Sequence, residues 1–594
     1  MPSKRVYLDI MPPDRKKSAS RAFFRRAEAE PVPKIVFREP KAAPKTLRIF
    51  GAVTLATLTI AITFSAIGYV DLKKRVTASA PLIYEKLNEA KEALTRLETA
   101  KAKDSFASVG AEVAALRGKA ERYGLLRISE LWSSALPKLK AVPETFRNLA
   151  LLSQAGFELA ADIEDLKENG FRWFTHQKGG HLIANLKDLK DGVDEILSLA
   201  AFFQNQGVEL GYPLVGDFLS LNANLYQTQR FLETLVNFLN DDREKRILVF
   251  FQNPSELRPA GGFLGSYAEV AINKNGLREI TVWDVYDPDG QLEVKTIPPR
   301  ELQEITPRWG ARDANWFFDF PASAKKTLSL LEQSKIYQER GATFEGAIAI
   351  NIDVIKTILE VVGPIELPEY NLTISGANVL EAIQKEVESG RDNKAGEPKR
   401  ILKVLTPLLF QELATLSGEE KAALFKSLEN HLSSKDVLFY FKDIEMENYF
   451  ENLGVAGEVA ALPQGFSGDY LAVVSANIGG GKSDAYISQK IKLSSKIDPE
   501  GRVDNYLVIE KRHDGDRAKD KWHRAPNSSY VRVFTPRGSR LVYLNGNEKK
   551  TIKPLVDYGA GAYVIDSDLE AIENTRKEIP VFGSEQSELS DKTV

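Results

Sequence analysis

The chain has 594 residues, of which 43% are hydrophobic and 27% charged, and it contains five histidines and no cysteine. This length predicts two to four domains, and the composition excludes a polytopic membrane protein and wholesale disorder. Without cysteine the chain has no disulfides, cysteine nucleophiles, iron–sulfur clusters or cysteine-based zinc sites. The histidines never fall at a metal-ligand spacing, which argues against a histidine metal site.

The net charge of −3 conceals a strong asymmetry along the chain. Residues 1–48 carry 13 basic and 5 acidic side chains, whereas residues 71–594 carry 66 basic and 77 acidic ones. An acidic body does not favour nucleic acid as a partner. The basic, proline-containing segment lacks periodic apolar residues, so we predict a disordered cytoplasmic tail with a weak attraction to anionic lipid.

Residues 49–70 contain no charged side chain. A helix of this length would reach about 33 Å, enough to cross the apolar core of a bilayer. The basic flank places the N-terminus in the cytoplasm and the bulk of the chain outside. A cleaved signal peptide is the alternative, but the apolar run is long for one and Pro81 is a poor residue after a cleavage site. We predict an uncleaved, single-pass anchor in the cell membrane.

The segment that follows has the pattern of a helical stalk. Apolar residues alternate steps of four and three over about two heptads, at Ile83, Leu87, Ala90, Leu94 and Leu97. This seam is too short to indicate a coiled-coil dimer, so packing within a helical bundle is favoured. Further helices are predicted over residues 144–166, 181–204 and 218–239, with glycine or proline breaks between them.

From residue 246 the pattern becomes mixed. Strands are predicted over residues 247–251, 267–272, 277–285 and 346–352, with a hairpin turn at 273–276. Helices are predicted over residues 322–333, 354–361, 374–388 and 398–413. This alternation predicts an α/β core in which helices cover a mixed sheet. From about residue 468, short strands at 471–475, 485–493, 503–510, 530–534 and 540–544 predict an antiparallel β domain.

These patterns divide the chain into six predicted segments. They are a basic tail (1–48), a transmembrane helix (49–70), an extracytoplasmic helical stalk (71–243), an α/β domain (244–465), a β-rich domain (466–575) and a polar tail (576–594). The fold class is therefore multidomain, with the α/β core at its centre.

The segment 476–483 satisfies a relaxed phosphate-loop pattern in which alanine replaces the first glycine. A phosphate-binding loop requires a helix after it, because the N–H groups of that helix point at the phosphates. Residues 485–493 alternate like a strand instead. A glycine turn is therefore the favoured interpretation.

A second glycine-rich loop, residues 253–266, directly follows the first strand of the α/β core. Loops at this end of a strand are where α/β sheets build their sites. Gly261 and Gly262 permit a close approach of the backbone, and the Arg258 guanidinium suits phosphate. By composition alone, a structural turn is as good an interpretation.

A basic group further on comprises Arg391, Lys394, Lys399 and Arg400. Such clusters are usually solvated, but these side chains are also suited to an anion clamp around a diphosphate. The carboxylates suited to hold Mg²⁺ beside it are Asp284, Asp287, Asp289 and Asp313.

Several motifs resemble those of the bacterial "domain of unknown function 4012" family over about residues 245–545. They are FFQNPSELRPAGGFLGSYAEV (250–270), RDANW (312–316) with DFP (319–321), SAN (475–477) with GKSD (481–484), and YVRVFTP (530–536). The anchor and the helical stalk also suit this family.

A more remote similarity is to the LytR–CpsA–Psr family of envelope proteins. It lies in residues 344–353, 361–367 and 372–380 and in the basic group that follows. This similarity implies a LytR–CpsA–Psr-like α/β fold and transfer of a glycopolymer from a polyprenyl-pyrophosphate carrier to the cell wall. By position it implies that Arg258, Arg391 and Arg400 grip the diphosphate, and that Asp284 and Asp313 are the weaker matches for acidic Mg²⁺ positions. Here the basic cluster is less dense than in that family.

Two functions remain open from the sequence. In the first, the chain is an envelope phosphotransferase. Arg258, Arg391, Arg400 and Asp313 are then its catalytic residues, Gly261, Gly262 and Lys399 help to bind the diphosphate, and Asp284 and Asp313 hold Mg²⁺. In the second, it is a non-catalytic scaffold that binds glycan, lipid or protein partners. Convergence of Arg258, Arg391 and Arg400 on one pocket would favour the first. The sequence does not indicate the oligomeric state.

Overall fold

A computed structural model describes residues 45–132, 137–210, 216–397, 399–479, 481–547, 551–581 and 584–589. The chain divides into two compact units, residues 1–67 and 68–594. The predicted basic tail lies outside the described residues except for its last four, which begin the first helix. The finer predicted boundaries within 68–594 stay predictions.

The first part of the chain is helical, as predicted. Its helices are α1 (Lys45–Thr95), α2 (Thr99–Arg122), α3 (Leu125–Trp132), α4 (Pro137–Thr175), α5 (Gly179–Leu210) and α6 (Gly216–Leu239). The predicted span 49–70 lies within α1, and several of its side chains lie outside the described residues. Among the residues that are described, no helix combines the length and the apolar character needed to cross a membrane.

The predicted seam is buried in a helical bundle. Ile83, Leu87 and Ala90 of α1 belong to a hydrophobic core formed with residues of α2, α4, α5 and α6, and Leu94 packs against it. Leu97 is exposed because the helix ends before it and its φ is +55°. The short seam therefore packs within the chain, as the heptad count indicated.

From residue 245 the elements alternate between strand and helix. They are β1 (Lys245–Arg258), β2 (Gly261–Asn273), β3 (Gly276–Asp284), α7 (Tyr286–Gly290), β4 (Lys295–Thr296), α8 (Phe320–Glu332), α9 (Lys335–Gln338), β5 (Gly346–Asn351), α10 (Ile352–Val362), β6 (Ile365–Leu367), β7 (Leu372–Ile374), α11 (Val379–Ser389), α12 (Arg391–Lys394), α13 (Arg400–Thr415), α14 (Gly418–Ser433), β8 (Val437–Phe441) and α15 (Ile444–Asn452).

Five of these strands form a mixed sheet in the order β3-β2-β1-β5-β8. The pair β1–β5 is parallel and the other three pairs are antiparallel. Leu248, Phe250 and Ala347 from the sheet pack with Leu328 and Leu331 of α8 in one core. The prediction of a mixed sheet covered by helices is confirmed.

The sequence prediction was wrong around residue 374, where it began a helix. Ile374 ends strand β7, which pairs with β6, and its side chain is fully buried with Leu367. The helix begins only at Val379, after a turn in which the Asn378 side chain accepts a hydrogen bond from the Ser375 N–H at 2.8 Å. A buried apolar strand of three residues and the start of an apolar helix have the same sequence signal.

The C-terminal part is built from small two-stranded ladders. Its elements are β9 (Ala472–Asn477), β10 (Ile487–Ile497), β11 (Val503–His513), β12 (Ser529–Phe534), β13 (Tyr563–Val564), α16 (Ser567–Glu573), β14 (Lys577–Val581) and β15 (Ser584–Leu589). Antiparallel pairs join β9 to β12, β10 to β11 and β14 to β15, while β13 pairs in parallel with β4. Four of the five predicted strands are therefore present, but in separate two-stranded ladders, whereas the strand predicted over residues 540–544 does not form. Residues 584–589, in the predicted polar tail, form a strand.

Candidate functional site

The predicted glycine-rich loop lies at one end of the five-stranded sheet. Strand β1 continues past its last pairing with β5, at Gln252–Asn351, and forms a hairpin with β2 in which Arg258 pairs with Gly261. Strand β3 ends at Asp284, opposite Ser266 of β2. The carboxyl ends of β1, β3 and β5 therefore share this end of the sheet, where α/β folds commonly place their sites.

Arg258 is buried at the centre of this region, with 3% of its surface exposed. Its Nη1 donates to the Asn477 carbonyl at 2.9 Å, and its Nη2 donates to Asp313 at 3.3 Å and to Glu256 at 3.2 Å. The guanidinium also lies over the Phe263 ring, 5.0 Å from its centre. A cation this far from water is stable only when opposite charges and acceptors surround it, as they do here.

Asp313 connects Arg258 to a second arginine. The Arg312 Nε donates to its other carboxylate oxygen at 3.1 Å, and the Trp309 indole N–H donates to its carbonyl at 3.1 Å. Arg312 in turn lies over the Tyr286 ring, 5.0 Å from the ring centre. Both oxygens of this buried carboxylate are therefore used by cations.

Lys399 completes the network through a further contact with Tyr286. Its ammonium lies 4.9 Å from the centre of that ring, donates to Asp284 at 2.8 Å and contacts the Gly265 carbonyl. Burial lowers the pKa of Lys399, and the attraction of Asp284 partly opposes this. Arg258, Asp313, Arg312, Tyr286, Lys399 and Asp284 thus form one continuous set of contacts, which we call the sheet-end network.

Burial also perturbs two other groups in this region. It raises the pKa of Glu256, against the opposing effect of Arg258 and Lys482. It raises the pKa of Tyr286, against the opposing effect of Arg312. Lys482 itself forms an ion pair with Glu388. Positive and negative groups therefore alternate, and no single sign of charge dominates.

The other two predicted clamp residues lie in a different group of contacts. Arg391 and Arg400 are partly exposed, and both bond to Glu369, the first to its carbonyl at 2.7 Å and the second to its carboxylate at 2.6 Å. Asp392 lies within 3.8 Å of both guanidinium groups. Within the described part of the chain, no residue forms a hydrogen bond or ion pair both with Arg258 and with either of these arginines.

The two carboxylates that the remote similarity assigns to Mg²⁺ already have cationic partners. Asp284 is paired with Lys399, and Asp313 with Arg258 and Arg312. Among the described residues, no group of three or more acidic or histidine side chains is arranged to hold a metal ion. The donor set does not fit Mg²⁺, which binds to carboxylates that are free to give it negative charge.

The relaxed phosphate-loop segment lies in the same region, where it forms a turn with a structural role. A four-residue 3₁₀ turn from Ser483 follows it, and then strand β10. The Asp484 carboxylate accepts from the Leu257 N–H at 3.0 Å, from the Asn477 amide at 2.7 Å and from the Asn527 amide at 2.9 Å. The interpretation as a turn, rather than a phosphate loop, is supported because no helix follows.

Gly261 and Gly262 serve the hairpin geometry. Gly261 has φ +126°, and a Cβ there would lie 2.1 Å from the Gln252 side-chain oxygen. A Cβ at Gly262 would lie 2.5 Å from the Asn253 backbone. Both positions therefore require glycine for close packing between β1 and β2.

Replacing Gly261 with alanine should destabilise the protein by about 1–3 kcal/mol, because it combines a strained φ with a clash against the buried Gln252 side chain. Thermal unfolding of the purified variant measures this. Gly118 of α2 is the matched control, since a Cβ there meets nothing within 4 Å. Alanine at Gly118 should leave stability equal or slightly higher. Equal unfolding of both variants would contradict the role given to Gly261.

The sequence did not single out Tyr286, Arg312, Asn477 and Asp484 as site residues. A signal was nevertheless present for three of them, because Arg312, Asn477 and Asp484 lie in motifs that carried the family resemblance. The structure brings these distant motifs into contact around Arg258. These motifs therefore indicate a place where distant segments pack together as much as they indicate a binding site.

The architecture is an α/β protein with a mixed sheet, preceded by a helical bundle and followed by small β ladders. Residues 242–387 match the model of the family described as "Protein of unknown function (DUF4012)". This segment supports the resemblance seen in its motifs at residues 250–270, 312–316 and 319–321. It contains Arg258, Tyr286, Arg312 and Asp313, whereas Lys399 and Asp484 lie beyond it. A comparison with curated proteins finds no match.

Proposed function

We propose that this chain is a membrane-anchored protein of the cell envelope that acts as a scaffold, and that the sheet-end network holds the scaffold together. On this proposal the network joins the α/β core to the C-terminal ladders and does not bind a polyprenyl pyrophosphate. The observation that carries the proposal is the state of Arg258: the guanidinium is buried and already neutralised by Asp313 and Glu256.

A diphosphate would have to displace these partners to reach Arg258. Displacing Asp313 would leave a buried carboxylate with only Arg312, and such losses are costly in a protein interior. The proposal also rests on the separation of the clamp residues, because Arg391 and Arg400 bond to Glu369 and Asp392 instead. Because Arg258 shares none of these partners with Arg391 and Arg400, the three cations offer no single cradle for a diphosphate.

The anchor is proposed from the uncharged segment 49–70 and its basic flank. Large apolar side chains of this segment are exposed, among them Ile60 at 68%, Ile62 at 66% and Phe64 at 50%. Exposed apolar residues that cover a helix in this way are stable when lipid surrounds them. The positive-inside bias then places the rest of the chain outside the cytoplasm.

The surface proposed for partners is the ribbon formed by β10 and β11. Among the residues that the structure describes, the two strands pair only with each other, and the pairs Ile491–Ile509, Leu493–Leu507 and Ile497–Val503 lie along one face. The exposed fractions of Ile491, Leu493 and Ile497 are 41%, 46% and 69%. Contiguous exposed apolar side chains commonly mark an interaction surface.

The proposal is tested by thermal unfolding of the full chain in detergent, with and without a soluble polyprenyl pyrophosphate and Mg²⁺. A ligand at 100 times its dissociation constant would add about 2.7 kcal/mol to the stability of the protein it binds. We expect no such shift. A rise in the unfolding temperature that is lost in Arg391→Gln or Arg400→Gln, with both variants folded, would overturn the scaffold proposal in favour of the phosphotransferase.

A further inference from the structure

A second polar cluster lies at the same end of the sheet, where strand β8 follows helix α14. After the last turn of α14, the Lys435 N–H donates to the Leu432 carbonyl at 3.2 Å and the Asp436 N–H donates to the His431 carbonyl at 2.9 Å. Lys435 has φ +62°, and these bonds form a Schellman motif at the end of the helix. The motif brings the Asp436 carboxylate to 2.7 Å from the His431 Nδ1.

Asn351 fixes the position of that carboxylate. Its side-chain amide donates to the other Asp436 oxygen at 2.5 Å, and its backbone N–H donates to the Asp436 carbonyl at 3.1 Å. Its side-chain oxygen accepts from the Asp353 N–H at 2.9 Å and thereby caps helix α10. The carboxylate is therefore held between the carboxyl end of β5 and the end of α14.

The third member of this cluster is the hydroxyl group of Thr357 on α10. Thr357 Oγ1 lies 2.8 Å from His431 Nε2. A carboxylate only accepts, so Nδ1 carries the proton toward Asp436, and in the neutral ring Nε2 is left to accept the Thr357 O–H. A hydroxyl, an imidazole and a carboxylate thus stand in the order and at the distances of an activated nucleophile.

Two other observations fit a reactive group. The His431 and Asp436 side chains are 14% and 21% exposed, so the cluster is sheltered but within reach of solvent. Asn351 ends strand β5, which places the cluster at a carboxyl end of the parallel pair. That edge is where α/β sheets place reactive groups.

We propose that Thr357, His431 and Asp436 form a nucleophilic site that reacts with carboxylic esters. The Thr357 oxygen attacks the ester carbonyl and forms a new ester bond, while its proton moves to His431 Nε2. The bond to the leaving alcohol breaks, and that proton leaves with the alcohol. Water then attacks the acyl-threonine, His431 takes the proton of the water and returns it to Thr357, and a carboxylic acid is released. Asp436 keeps the imidazole in the required tautomer throughout.

The probe is p-nitrophenyl acetate, applied to the full chain in detergent, with intact-mass and peptide mass spectrometry as the readout. The wild-type protein should gain an acetyl group at Thr357. Thr357→Val should lose that adduct, Thr357→Ser should retain it, and His431→Asn should slow acylation about 10²–10⁴-fold, the range of general-base catalysis. Asp436→Asn should slow it as well.

The matched control is Thr415→Val, an exposed helical threonine whose Oγ1 donates to the Glu412 carbonyl in its own helix. This variant should react like the wild type. If Thr357→Val fails to fold, the position of the adduct in the wild type and in Thr357→Ser decides the question. A wild-type protein that carries no acetyl group at Thr357 and releases p-nitrophenolate no faster than Thr357→Val would overturn the proposal.

Discussion

Replacing Arg258 with alanine is expected to lower the free energy of unfolding by about 3–5 kcal/mol, the cost of removing one partner from a buried ion pair. The substitution leaves Glu256 without its ion-pair partner, leaves Asp313 with Arg312 alone, and removes the donor to the Asn477 carbonyl. Urea unfolding followed by tryptophan fluorescence is suited to the measurement, because the Trp309 indole donates to the Asp313 carbonyl.

Arg391 provides the matched control for Arg258. Its side chain is 57% exposed and its charge partner is Asp392. Exposed ion pairs contribute about 0–1 kcal/mol, so Arg391→Ala should change stability by no more than that. An Arg258→Ala variant as stable as Arg391→Ala would show that the sheet-end network does not hold the fold together.

Glu447→Gln is expected to stabilise the protein at pH 8 by an amount on the order of 3 kcal/mol and to have little effect near pH 4.5. Glu447 is buried, and its Oε2 accepts from the Phe441 N–H at 2.7 Å. Burial raises the pKa of Glu447 to about 7, and the negative charges of Glu451, Asp319 and Glu458 add to the increase. Its ordinary value is near 4.3.

The direction of this pH dependence follows from how many protons the folded and unfolded states bind. Between about pH 4.5 and pH 7 the folded protein keeps the proton on Glu447 and the unfolded chain releases it. The free energy of unfolding therefore falls as pH rises through this window, and then stays constant with respect to this group. Glutamine keeps the acceptor for Phe441 without the charge, so the wild type and the variant should diverge as pH rises.

Unfolding of both proteins at pH 4.5 and pH 8 measures the effect. Glu429→Gln is the control, because Glu429 is exposed on α14 and its replacement should change stability by less than about 0.5 kcal/mol at either pH. A difference between Glu447→Gln and the wild type that is the same at both pH values would contradict the assignment of Glu447 as the titrating group.

The sequence correctly predicted several elements that depend only on residues close together in the chain. The run 247–251 lies in strand β1, the turn 273–276 joins β2 to β3, and Ile83, Leu87 and Ala90 are buried in the bundle. Each of these depends on periodicity or turn chemistry within a few residues. Strand β7 was missed because three apolar residues are too few to show a period.

The candidate site was only partly predictable because its contacts are distant in sequence. The loop and Arg258 were recognised, but Arg258 bonds to Asn477, 219 residues away, and Lys399 pairs with Asp284, 115 residues away. No spacing rule predicts that Lys399 enters the network while its neighbour Arg400 turns to Glu369. Charge clusters in a sequence indicate which side chains are basic, and the fold decides which of them share a partner.

The central claim is that Arg258 and Asp313 stabilise the fold through their mutual contact, and a double-mutant cycle tests it directly. Arg258→Met, Asp313→Asn and the double variant are compared with the wild type by urea unfolding without any ligand. Residues in contact within one ion network give coupling energies of about 0.5–3 kcal/mol, and we expect a value in the upper half of that range. Additivity of the two substitutions, within about 0.5 kcal/mol, would contradict the claim.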